Sequence, residues 1–183
     1  LVHAHSRASG WSSYVACKLT GTPMITTVHG RQPVHASRKA FHALGYRAVA
    51  VCEDIARQII DNLGVDPAMV QVLRNGIETD RFQPVPAPDN ARPVIAIIGR
   101  LSGPKGELCY RLLDEVLDLD ACQVRVVSGT RVPERFARFQ DKVDFVGYVD
   151  DVPALLAQCD LVIGAGRVAM EALLCGRPAF AIG

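Results

Sequence analysis

Short apolar runs alternate with segments of helical periodicity along almost the whole chain, and this alternation limits the possible folds more than any other feature. The runs at 1–4, 23–28, 47–52, 70–73, 93–99, 123–128, 143–146, 161–163 and 178–182 read as strands. Helical patterns fall between them at 9–19, 37–44, 53–63, 107–119, 133–139 and 152–158, with one more beginning after Gly166. Strands that are apolar throughout, each followed by an amphipathic helix, predict parallel sheets covered on both faces. The tract at 84–92 is rich in proline and poor in residues that pack, so it reads as a linker. Two α/β units are expected, at 1–83 and 93–183. Both termini read as strands without flanks, which predicts a fragment truncated at both ends.

The totals remove several function classes. With 183 residues, 49% hydrophobic, and a formal net charge of +1, the chain can build a large core and carries no charge excess suited to nucleic acid. No apolar run approaches the ~20 residues of a membrane span, and no signal peptide precedes the first strand. The six cysteines form no C-x-x-C pair and sit mostly in apolar runs, as buried thiols of a reducing compartment do.

Ligands of open parallel sheets collect outside the carboxyl ends of the strands. Distinctive residues recur at those ends. His5 and His29–Gly30 follow the first two strands, Glu53 the third and Asn75–Gly76 the fourth. Arg100, Gly129 and Gly164 follow strands of the second unit. This repetition predicts a cleft between two sheets.

The stretch 160–178, DLVIGAGRVAMEALLCGRP, is a strand, a glycine turn at Gly164–Ala165–Gly166 and a helix stopped by Gly176 and Pro178. Amides at such a helix start suit a phosphate or sugar hydroxyl, and Glu171 could accept from ribose hydroxyls. A crossover helix whose glycines only permit close packing fits the same residues. In GRLSGPKGE, Arg100 and Lys105 share a loop shaped by glycine and proline, and together they suit a diphosphate. Solvated surface charge is the alternative. The loop lacks the Gly-Lys-Ser/Thr ending of a P-loop, and no G-x-G-x-x-G is present, which argues against NAD and FAD.

His29 at a strand mouth can reach a ligand hydroxyl, or simply bond nearby backbone. His3 and His5 share one strand face, but no third metal ligand is evident. Asp118-x-Asp120 resembles a metal–diphosphate motif, yet it reads as exposed surface at a helix end. His35 and His42 read as surface or helix positions. With no G-x-S-x-G elbow or Cys–His pairing, acyl-enzyme hydrolysis is disfavoured.

Taken together, HAHS at 3–6, TVHG at 27–30, VAVCED at 49–54, VLRNGIETDRFQP at 72–84, IIGRLSGPKGE at 97–107, VDFVGYVDDVPALLAQCDLVI at 143–163 and AMEALLCGRPAFAIG at 169–183 resemble the family-4 retaining glycosyltransferases. The resemblance covers nearly the whole chain. It implies two Rossmann-like domains facing a cleft, the GT-B architecture, with 93–183 binding the donor. It places Arg100 and Lys105 on the donor diphosphate and His29 near the donor sugar, making these the catalytic set. Gly164, Ala165, Gly166, Arg167 and Gly129 fall in donor-binding loops, and Glu171 matches the ribose-binding second glutamate of an E-x7-E motif. Asn75 and Gly76 match a structural turn at the cleft.

Ile163 stands where the first glutamate of that motif belongs, and Cys52 where the family usually has serine. The resemblance further implies transfer of a hexose-type sugar from a nucleotide diphosphate sugar to a glycan or lipid-linked acceptor. That reaction retains anomeric configuration and uses neither cofactor nor metal. The expected setting is cytoplasmic, at the inner face of the membrane with peripheral contact, in cell-envelope polysaccharide or lipopolysaccharide synthesis. Ile163 leaves open a sugar-nucleotide epimerase on the same fold. A nucleotide-binding scaffold without catalysis is the third reading.

Overall fold

The computed structural model describes residues 1–5, 7–32, 34 and 41–182. The chain divides into two compact units, Leu1–Gly76 and Ile77–Gly183.

In the first unit four parallel strands lie in chain order: β1 (Val2–Ala4), β2 (Met24–Val28), β3 (Arg47–Ala50) and β4 (Val70–Val72). Helix α1 (Arg7–Thr20) connects β1 to β2. Helix α2 (Glu53–Arg57) follows β3 and continues in wider π-type turns over Gln58–Asn62. The core forms where Val28, Ala48 and Ala50 of the strands meet Ile55, Ile59 and Leu63 of this helix. The expected helix at 37–44 is not found where it can be judged. Residues 41–44 are irregular, and 37–40 lie outside the described residues. Ala43 there takes a positive φ of 54° and is buried, so local geometry set by packing overrides the weak helical pattern.

The second unit has a five-stranded parallel sheet in the order β7-β6-β5-β8-β9. Its strands are β5 (Val94–Ile98), β6 (Gln123–Val127), β7 (Val143–Gly147), β8 (Leu161–Gly164) and β9 (Ala179–Ala181). Helix α3 (Gly103–Arg111) continues in π-type turns over Leu112–Val116. A 3-10 helix covers Glu134–Phe139, followed later by α4 (Val152–Ala157) and α5 (Arg167–Leu174). β5 shows why the sheet is buried on both faces. Ile95 and Ile97 join Leu112, Phe136 and Phe139 on one side, while Val94 and Ala96 join Leu156, Ala172 and Cys175 on the other.

Two expectations change here. Helix α3 starts at Gly103 rather than 107, because Pro104 fits the first turn of a helix, where its missing N–H is not needed. The proline-rich tract at 84–92 is not a free linker. It lies within the second unit, and the division falls after Gly76. Phe82 is buried in that unit's core. The guanidinium of Arg177, 2% exposed, donates to the carbonyls of Val85 and Pro86, the latter at 2.7 Å. Asn90 donates to Gln158 and Asp160. Prolines leave carbonyls without neighbouring amides, and a buried arginine supplies the donors.

Candidate functional site

Strand order in the second unit reverses at β5. The chain proceeds from β5 outward through β6 and β7, then returns to place β8 on the other side of β5. Such a switch point leaves a crevice at the carboxyl ends of the two central strands, because their connections leave in opposite directions. Ile98 of β5 pairs with Gly164 of β8, so the loop at Gly99–Arg100 adjoins the turn at Ala165–Gly166. Gly99, Arg100, Lys105, Ala165 and Ile182 line one shallow concavity there. The two cations read from the sequence as a pair are thus brought to one place.

Neither has an ion-pair or hydrogen-bond partner among the described residues, and both are exposed. In the first unit Lys18 and Arg57 likewise have no ion pair among the described residues, but they lie on helices away from any strand mouth. Arg31, Arg74, Arg81, Arg111, Arg125, Arg135, Arg138 and Lys142 each pair with a carboxylate. Arg167, the first residue of α5, and Arg131, in the loop after β6, are likewise exposed and without an ion pair among the described residues. Lys105 and Arg167 each stand in the first turn of a helix that has no acidic residue there and no side-chain cap. Cations at that end oppose the helix dipole. A bound anion between the two helix starts would relieve both.

Backbone geometry fixes the loops. A Cβ on Gly106 would come within 2.3 Å of the Leu101 carbonyl oxygen, so only glycine lets α3 approach the loop this closely. The Leu101 amide donates to Thr130 Oγ1 at 3.3 Å, and Thr130 Oγ1 lies 2.8 Å from Ser128 Oγ. That network ties the arginine–lysine loop to the loop after β6. Gly166 has φ of +59°, which glycine adopts without strain, and it turns the chain directly from β8 into α5.

Gly164 is buried. A Cβ there would meet Val168 Cγ1 at 2.4 Å, so its role is strand–helix packing. Exposed Gly129 lies against Tyr148, whose ring would stand 3.3 Å from an added Cβ. Glu171 is half-buried on α5 and has no ion pair among the described residues, but it does not line the concavity of Arg100 and Lys105. Ile163 is 3% exposed and belongs to the core with Ile95 and Ile97, so no side chain from that position reaches the strand mouth.

Cys109 lines the floor of the concavity, but burial pushes its thiol up to about 11, partly countered by Arg135, so it is no nucleophile near neutral pH. All six cysteines are free, and all but half-buried Cys52 are buried. Asp118 and Asp120 are a surface turn. Asp118 accepts from the amides of Asp120 and Ala121, and Asp120 pairs with Lys142. His42 accepts from the Leu44 amide in an irregular segment and not in a helix, and His35 lies outside the described residues.

In the first unit, His5 and His29 emerge from the carboxyl ends of β1 and β2. Their ring nitrogens, Nδ1 of His5 and Nε2 of His29, are 3.2 Å apart. His3 Nε2 bonds Thr27 Oγ1 at 2.7 Å, and its ring centroid is 4.1 Å from that of His5. Among the described residues no cluster of three His, Cys, Asp or Glu side chains is arranged to hold a metal ion. Asn75 and Gly76 are exposed in the loop after β4. Sequence reasoning did not single out Arg131 or the contact of His5 with His29. The rule of strand mouths flags Arg131, whereas the histidine contact depends on β1 and β2 being neighbours. No helix of the described residues is long and apolar enough to cross a membrane.

Comparison with known proteins matches residues 1–81 to the family described as Glycosyltransferase Family 4 and residues 92–182 to the family described as Glycosyl transferases group 1. Alpha-maltose-1-phosphate synthase of Mycolicibacterium smegmatis is 27% identical over 58% of this chain and 34% of its own length. D-inositol 3-phosphate glycosyltransferase of Geodermatophilus obscurus is 29% identical over 99% of this chain and 51% of its own. The chain therefore spans a third to a half of the length of these relatives. Anabaena Alr3699/HepE, solved in complex with UDP and glucose, shares the fold at a TM-score of 0.78 and 20% identity, over 98% of this chain and 58% of that one.

Proposed function

This chain belongs to the family-4, group 1 glycosyltransferases, and from that premise we propose that it transfers a hexose-type sugar from a nucleotide diphosphate sugar to an acceptor hydroxyl with retention. The observation that carries the reading is the set of cations at the β5/β8 switch point that have no ion pair among the described residues. A departing nucleoside diphosphate develops negative charge on its β-phosphate. Arg100 offers a planar fork to two phosphate oxygens, Lys105 a compact charge, and the start of α5 backbone amides. These groups are in place before reaction, so they stabilise that charge with little reorganisation. Arg167 and Arg131 extend the same positive edge.

Glu171 is assigned to the ribose and His29 to the sugar by their place in the family pattern. The leaving phosphate itself assists loss of the acceptor proton, with no metal required. UDP bound in the Anabaena neighbour supports the choice of a nucleoside diphosphate. The acceptor is a glycan or a lipid-linked glycan at the cytoplasmic face of the membrane, in envelope polysaccharide or lipopolysaccharide synthesis.

Incubation with UDP-, GDP- and ADP-hexoses, with and without a glycan acceptor, tests the proposal. Acceptor-dependent release of nucleoside diphosphate and a retained anomeric configuration by NMR are expected. Accumulation of an epimer without acceptor would indicate the sugar-nucleotide epimerase that Ile163 leaves open. Nucleotide binding with no turnover would indicate a scaffold.

A further inference from the structure

We propose that His5 is a positioning residue for His29, fixing both the orientation and the tautomer of its imidazole. This rests on the assignment of His29 to the transferred sugar, but its structural content can be tested without it. Nδ1 of His5 and Nε2 of His29 lie 3.2 Å apart, and the two rings are nearly parallel, with centroids 5.5 Å apart and 25° between planes. Two neutral imidazoles in this contact share one proton: one ring nitrogen donates and the other accepts. If His29 donates from Nε2, its Nδ1 is an acceptor. If it accepts at Nε2, its Nδ1 carries the proton. The proton on His5 therefore decides what His29 presents to a sugar hydroxyl.

His5 is itself held. His3, two residues earlier on the same face of β1, stacks at 4.1 Å and is bonded at 2.7 Å to Thr27, which is 8% exposed. The segment after His29 is held as well. Arg31 donates to both carboxylate oxygens of Asp54, at 3.0 and 2.9 Å. The Gln32 amide donates to Gln58 Oε1 at 3.0 Å, and Gln58 returns a bond to the Gln32 carbonyl. With the backbone on both sides of His29 held and one ring nitrogen engaged by His5, the free ring nitrogen has one direction, and its protonation follows that of His5. A role in sheet stability alone would not require His5 to meet His29 through a ring nitrogen.

The test is imidazole nitrogen NMR on the full chain without ligand at pH 8, for wild type, His5→Ala and His5→Asn. Asparagine can place an amide near the Nδ1 position. The proposal predicts a single dominant tautomer for His29 in wild type, averaging between tautomers in His5→Ala, and return to one tautomer in His5→Asn. An unchanged His29 tautomer in His5→Ala overturns it. Turnover of UDP-glucose provides a second reading: kcat falls about tenfold in His5→Ala, less than on loss of His29 itself, while KM for the donor stays within about twofold. Equal kcat in wild type and His5→Ala also overturns the proposal. Absence of turnover in wild type would count against the proposed function, while the NMR result would still decide the contact.

Discussion

The two sheets present opposite chemistry at the same edge. At the carboxyl ends of β1 and β2 the rings of His5 and His29 meet, and His3, bonded to Thr27, stacks on His5. At the carboxyl ends of β5 and β8 stand guanidinium and ammonium groups without ion pairs among the described residues. Both edges follow from parallel strands that release their loops on one side. The side chains at those mouths divide the labour. Imidazoles can hold or exchange a proton near neutral pH but bring no permanent charge, whereas Arg and Lys bring fixed charge and cannot serve as a base there. Under the proposed function, holding an anion is assigned to the second unit and contact with sugar hydroxyls to the first.

The sharpest way to break this division is to remove a charge. Lys105→Ala should lower turnover by about 10²–10³-fold, the range for losing one preorganised donor to a developing anion. Its unfolding temperature should hold or rise slightly, because the ammonium is exposed, pairs with nothing among the described residues and opposes the dipole of α3. Loss of turnover with a matching loss of stability would instead make Lys105 structural.

Next in size is thiol reactivity. Cys109 lies beneath the cation site with its thiol raised to about 11, against 9.0 ordinarily. At pH 8 its thiolate fraction is lower by about 10²-fold, and alkylation followed by mass spectrometry should label it far more slowly than half-buried Cys52. The raised value also sets a sign for stability. The unfolded chain gives up this proton first, so the contribution is complete below pH 9 and is lost as pH climbs toward 11. Denaturant unfolding at pH 8 and 10.5, in wild type and Cys109→Ser, would show whether that loss belongs to Cys109.

Smaller effects test the scaffold of the second edge. Gly106→Ala forces a Cβ against the Leu101 carbonyl and should cost about 1–3 kcal/mol, read by denaturant unfolding. Arg177→Met leaves the Val85 and Pro86 carbonyls without their donor and should cost about 1–3 kcal/mol, with new proteolysis within 84–92. If the tract stays resistant to protease, Phe82, Val85 and Asn90 suffice to dock it. Smallest of all, His29→Gln should leave UDP affinity within about twofold, since its unit carries none of the phosphate-binding charge.

Much of this architecture could be read from residue pattern. PVIAIIG reads as a buried strand, and the glycine turn after Ile163 reads as leading into a helix. The nearness of Arg100 to Lys105 was legible because the two are close in sequence, one in the loop after β5 and the other in the first turn of α3. What escaped depends on contacts between distant residues. The tract at 84–88 read as a free joint, yet the Arg177 guanidinium holds its backbone through the Val85 and Pro86 carbonyls while Pro84 and Pro86 stay exposed. The pattern at 37–44 suggested helix, but 41–44 follow tertiary packing around Ala43 and Leu44. His5 and His29 are separated by a helix and a strand, and only parallel pairing of β1 with β2 joins them.

The central claim is that the β5/β8 mouth binds a pyrophosphate through Arg100 and Lys105. Calorimetric titration of UDP and GDP against uridine and guanosine, in wild type and in the Arg100→Ala/Lys105→Ala double variant, tests it directly. The account predicts that wild type prefers the diphosphates by at least about 100-fold and that the double variant loses most of this preference. Equal affinity of the double variant and wild type for both diphosphates would contradict it.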